Sequence, residues 1–107
     1  MEKNSDQKQP LVCKLTSMEL QERKQTILAA LTWQVLEKKE IKNGFQYKFE
    51  GSDSTIDQLT EFIKTERQCC NFFNFSLAIA GSEDGFTWLT IAGPSGAKEF
   101  IKEELGL

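Results

Sequence analysis

The chain has 107 residues, of which 39% are hydrophobic, 27% charged and 10% aromatic, the make-up of one ordinary globular domain rather than a disordered chain. A net charge of −3, with Lys38-Lys39 flanked by Glu37 and Glu40, argues against binding to a nucleic-acid backbone. No apolar run approaches the roughly 18–20 residues of a membrane span. Histidine is absent, which removes Ser-His-Asp and Cys-His catalysis and every imidazole-bearing zinc site.

Met1 to Pro10 is polar and lacks the apolar centre of a signal peptide. It reads as a disordered tail ahead of a single domain over residues 11–107, and predicts a cytoplasmic protein whose thiols stay reduced. Leu11-Val12-Cys13-Lys14-Leu15 reads as a short strand or extended lead-in. Thr16 to Glu19 fits a capping box, and the helix behind it carries Leu20, Ile27, Leu28 and Leu31 on one face. Its end falls between Leu31 and Leu36; β-branched Thr32 and Val35 favour the earlier point.

Asn43-Gly44 is a hairpin signal suited to positive φ angles. It separates a charged edge strand, Val35 to Ile41, from one in which Phe45, Tyr47 and Phe49 alternate with polar residues. Ser54 with Asp57 marks a second helix start, and Ile56, Leu59, Phe62 and Ile63 form its apolar stripe. Continued at helical spacing, the stripe takes Cys70 into its middle and Cys69 at its margin. Glu66 falls inside the apolar arc, with Arg67 nearer the opposite margin. A carboxylate so placed needs a partner, and Arg23 or Lys24 of the first helix is the candidate.

Phe75, Leu77 and Ile79 alternate in a further strand, Gly81 to Gly85 form a loop, and Phe86 to Ala92 return with Phe86 and Trp88 on one face. Pro94 suits the first position of a last helix, faced by Ala97, Phe100, Ile101 and Leu105 and ended by Gly106. The order β-α-β-β-α-β-β-α predicts an α+β fold, a mostly antiparallel sheet with helices on one face. Its first six elements match a ferredoxin-like split βαβ unit.

The chemistry concentrates in Glu66-Arg67-Gln68-Cys69-Cys70-Asn71-Phe72-Phe73-Asn74-Phe75. Three cysteines, an odd number, exclude a closed disulfide framework. Two adjacent thiols with Cys13 as a third make a donor set for a soft ion: mercury, arsenic(III), cadmium, copper(I) or zinc. Three sulfurs without imidazole suit a trigonal soft ion better than tetrahedral structural zinc. Against this stands the habit of free cysteine as a small buried hydrophobe. The negative end of a helix also disfavours thiolate. A bond between neighbouring cysteines is strained, since adjacent α-carbons lie about 3.8 Å apart across a trans peptide. Gly93-Pro94-Ser95-Gly96 lacks a phosphate-loop lysine and reads as a turn.

The segment Glu66 to Phe73 resembles a family of small, largely uncharacterised bacterial proteins that carry an E-R-x-C-C-P-F-F type motif. The likeness extends to Cys13, Arg23, Trp88-Leu89 and Gly93 to Phe100, and so covers roughly Leu11 to Ile101. Asn71 departs from it by standing where the motif has proline. The family is associated with heavy-metal resistance genes, including mercury and arsenic systems. The resemblance therefore implies thiophilic-metal handling, with Cys13, Cys69 and Cys70 as metal ligands and Glu66 and Arg67 supporting them; the first expectation is a non-catalytic domain that binds or senses a soft ion. The competing reading is a protein-interaction or small-ligand-binding domain whose cysteines are core residues.

Overall fold

Because Phe45, Tyr47 and Phe49 alternate with Gln46, Lys48 and Glu50, a strand through them must bury one face and wet the other. The computed structural model, which describes residues 18–82 and 84–107, builds its sheet on this rule. The polar tail, the lead-in Leu11 to Leu15 with Cys13, and the Thr16 end of the capping box lie outside the described residues. Within them the chain runs α1 (Met18–Thr32), β1 (Glu37–Ile41), β2 (Gly44–Glu50), α2 (Asp53–Cys69), β3 (Asn74–Ile79), β4 (Phe86–Ala92) and α3 (Ala97–Phe100). A π-helical stretch, Ile101–Leu105, continues α3. This is the expected α+β fold.

All pairings are antiparallel, in the order β1-β2-β4-β3. Phe45, Tyr47 and Phe49 of β2 sit opposite Ile91, Leu89 and Thr87 of β4, which in turn sit opposite Phe75, Leu77 and Ile79 of β3. These rows form the helix-covered face, and the core gathers there with Leu31, Leu59, Phe62, Phe73, Phe100, Ile101 and Leu105. Phe86 and Trp88 do share a face, and it is the open one. There Lys48 lies 4.0 Å from the Phe86 ring and Lys39 4.8 Å from that of Trp88, contacts of cation–π geometry.

The ferredoxin-like expectation finds a specific form. β2 and β3 are both antiparallel to the strand between them, so β2-α2-β3 is a split βαβ unit whose gap is filled by β4. A leading strand in the ferredoxin-like order would take that central place beside β2; the returning strand Phe86–Ala92 holds it instead.

Several element ends differ from the sequence reading. The hairpin turn consists of Lys42 and Asn43, because Ile41 pairs directly with Gly44. Gly44 is therefore a strand residue, required for close approach: a Cβ there would lie 1.9 Å from the Ile91 carbonyl oxygen. Helix α2 is capped two residues before the expected Ser54, since Ser52 accepts a hydrogen bond from the Thr55 amide at 3.2 Å and the helix begins at Asp53. Pro94 initiates a turn, closed by Ala97 N–H donating to its carbonyl, and α3 begins only at Ala97. Gly106, at φ 70°, ends the last helix as expected.

The edge strand β1 turns Lys38 and Glu40 to the helix side, where the C-terminal segment holds them. Lys38 lies 4.3 Å from the Phe45 ring and donates to the Leu107 carbonyl, while Lys98 meets Glu40 at 2.6 Å. That hydrogen bond and charge hold the Glu40 carboxyl below its usual range.

The helix that leads to the vicinal cysteines is anchored at its start by one hydroxyl. Ser52→Ala is expected to lower unfolding stability by about 1 kcal/mol, and Ser52→Gly by only a few tenths; urea denaturation checks both.

Candidate functional site at the end of α2

Helices α1 and α2 each interrupt an apolar stripe with one charge. In α1, Lys24 shares a face with Ile27, Leu28 and Leu31; in α2, Glu66 shares one with Leu59, Phe62 and Cys70. The two helices run antiparallel, since Gln34 at one end donates to Gln58 and Arg23 and Lys24 at the other meet Glu61 and Glu66. This settles the sequence alternative: Lys24 partners Glu66, and Arg23 pairs with Glu61 at 3.6 Å on the surface.

The Lys24 side chain is 9% exposed and that of Glu66 wholly buried, with Nζ 3.5 Å from Oε1. That is ion-pair distance. Burial pushes the Glu66 carboxyl above its ordinary value near 4.5, against the opposing pull of the Lys24 charge and of hydrogen bonding from the Cys70 thiol and Lys24. Cys70 stands one turn beyond Glu66 and is itself fully buried. Its amide donates to the Glu66 carbonyl at 2.6 Å, closing the last turn.

Beyond Cys70 the chain reverses in a turn closed by Phe73 N–H donating to the Cys70 carbonyl, with Asn71 exposed at its corner. The following phenylalanines form the walls. Phe72 and Phe73 both meet the Phe100 ring, at 5.2 and 5.7 Å, and Phe75 meets Phe62 edge-on at 6.0 Å. Such tilted and edge-on contacts hold rings more specifically than burial alone. They bind the reversal to α2 on one side and α3 on the other.

Of the residues singled out in the sequence, the structure brings Glu66 and Cys70 together in the core. Arg67 lies exposed on the helix, away from the buried cluster, and the cation that meets Glu66 is Lys24. Cys69 is the last residue of α2; its side chain, like Cys13, lies outside the described residues. No group of three metal-ligating side chains occurs among the described residues. Comparison with protein families, curated proteins and solved structures yields no match.

Lys24→Met strands the Glu66 carboxylate and is expected to cost roughly 3–5 kcal/mol near neutral pH, with Lys24→Met/Glu66→Met regaining most of it. The sign of the pH dependence follows from the raised Glu66 carboxyl. Its contribution to stability is full below the unfolded value near 4.5 and is lost as pH rises through the higher folded value. The Lys24→Met penalty should therefore shrink on acidification toward that value, as followed by urea denaturation across pH.

Proposed function

We propose that this chain is a non-catalytic, cytoplasmic domain that binds or senses a thiophilic metal or metalloid ion at the end of α2. Cys69, Cys70 and Cys13 are the ligands in this reading, and mercury, arsenic(III), cadmium or zinc the candidate ions. Its chief support is the buried cluster of Lys24, Glu66 and Cys70. Three polar groups in an apolar core carry a desolvation cost that plain hydrophobic residues would avoid. Next to Cys69 in the sequence, they are groups that could orient the Cys70 thiol as a ligand. Soft ions prefer sulfur, deprotonate the thiols they bind, and draw order from the residues that hold those ligands. Glu66 and Lys24 are the groups that would fix Cys70; Arg67, at the surface, would act on charge at the rim. The resemblance to proteins associated with heavy-metal resistance points the same way. Neither nucleic acid nor membrane belongs to this reading; among the described residues no helix is long and apolar enough to cross a membrane.

A second reading has its own observation. Cys70 is sealed among core residues, as a cysteine serving only as a small hydrophobe would be. The domain would then bind a protein or small ligand elsewhere.

An anaerobic titration of reduced protein with mercury(II), followed by sulfur-to-metal charge-transfer absorption, separates the two. A metal site gives a sharp one-to-one endpoint that Cys13→Ser, Cys69→Ser and Cys70→Ser each weaken. Uptake that is slow and without an endpoint, or that needs denaturant, refutes the site and leaves core cysteines.

A further inference from the structure

The two edges of the sheet are built differently. β1, EKKEI, carries four consecutive charges, the usual guard against pairing with another chain. β3, NFSLAI, has no charge and no proline, and among the described residues no strand pairs with its outer edge. Ile79 on this strand is 48% exposed.

The hydrogen-bond phase of β3 can be read from its hairpin. The Ala80 N–H donates to the Phe86 carbonyl at 3.3 Å, and the ladder continues through Ala78↔Trp88, Ser76↔Thr90 and Asn74↔Ala92. In an antiparallel ladder, hydrogen-bonded and non-bonded pairs alternate. Asn74, Ser76 and Ala78 thus turn their backbone groups toward β4, while Phe75, Leu77 and Ile79 turn their N–H and C=O groups outward.

That outward row is self-complementary. A two-fold axis through Leu77 sets Leu77 opposite itself and Phe75 opposite Ile79 of a second copy, all of them residues whose backbone groups point outward. Each such pair can exchange both backbone hydrogen bonds. The same register places apolar side chains against apolar ones on the helix-covered face, and Ser76 against Ala78 on the open face. No charge meets its like, and every outward backbone group of the strand finds a partner.

We propose that β3 pairs antiparallel with β3 of a second copy of this chain, forming an isologous dimer with one continuous eight-stranded sheet. The neutral strand offers nothing to recognise a charged peptide, and its register is satisfied by its own sequence. The pairing extends the apolar row Phe75, Leu77, Ile79 across the axis, covering Ile79.

Sedimentation equilibrium of the full chain over a dilution series tests this, with hydrogen exchange as a second readout. The expected species has twice the 12.2 kDa chain mass, and the Phe75, Leu77 and Ile79 amides gain protection as it forms. Ser76→Lys/Ala78→Lys sets lysine against lysine across the axis and should weaken the dimer about tenfold or more. Ser76→Lys/Ala78→Glu restores opposite charges in the same register and should recover it, with circular dichroism confirming that both variants fold. A wild-type chain that stays monomeric throughout overturns the proposal. So does a dimer indifferent to both double substitutions, or a monomer whose three amides are already protected, which would mean that another part of the same chain covers the edge.

Discussion

The register between α1 and α2 is set by the pair of residues for which a wrong register would cost most. Most of the interface is aliphatic and tolerates small slips, because one methyl replaces another at modest cost. Lys24 and Glu66 tolerate none. Each is withdrawn from water, and each is the other's charged partner at 3.5 Å. Sliding the helices by one turn would leave an uncompensated charge in the core, a penalty of several kcal/mol. The exposed Arg23–Glu61 pair and the half-buried Gln34–Gln58 hydrogen bond fit the same register but enforce it less, since neither buries a charge. Once α1 is held against α2, the Phe62–Phe75 contact fixes α2 over β3. The phenylalanines after Cys70 then carry the constraint to Phe100 and α3.

Much of this was legible in the sequence because two periodicities are written plainly. Phe45, Tyr47 and Phe49 declared a half-buried strand, and the charged run after Leu36 declared an edge. Glu66 declared itself by breaking an apolar arc, which narrowed its partner to two residues of α1. What stayed hidden was non-local. Nothing in Gly44 or Ile91 alone reveals that their backbones nearly touch, so Asn43-Gly44 reads as a turn when the glycine is needed for a neighbouring strand. Ser52 and Ser54 are both chemically competent to cap α2, and tertiary placement chose the earlier one. Alternation also cannot say which strand lies beside which; the central place of Phe86–Ala92 comes from pairing over long sequence separation.

The same distinction runs through the candidate site. Adjacent cysteines near a helix end could be recognised from the sequence, and so could a carboxylate one turn before them. That Lys24 rather than Arg67 stands by that carboxylate is a fact of helix–helix geometry. Arg67 follows Glu66 directly, and neighbours in a helix point about 100° apart. A residue adjacent in sequence is thereby a poor candidate for sharing a buried pocket, whereas one from a facing helix is a good one.

A site at Cys70 carries a requirement of its own. The thiol has no exposed surface, so an ion can reach it only when the end of α2 or the turn that follows opens. Cys70 lies at the C-cap of a helix and at the first residue of a reversal closed by the Phe73 N–H donating to its carbonyl, and helix ends open more readily than interiors. Against that, Phe72 and Phe73 clamp the reversal onto Phe100, so opening also parts aromatic contacts. A ligand that binds the opened form must supply the difference, which sulfur–metal bonds can do and ordinary polar contacts to a buried thiol cannot. The buried charge pair helps keep that opening local. Lys24 and Glu66 oppose any motion that would part α1 from α2, so fraying that admitted a ligand would be confined to the stretch beyond Glu66.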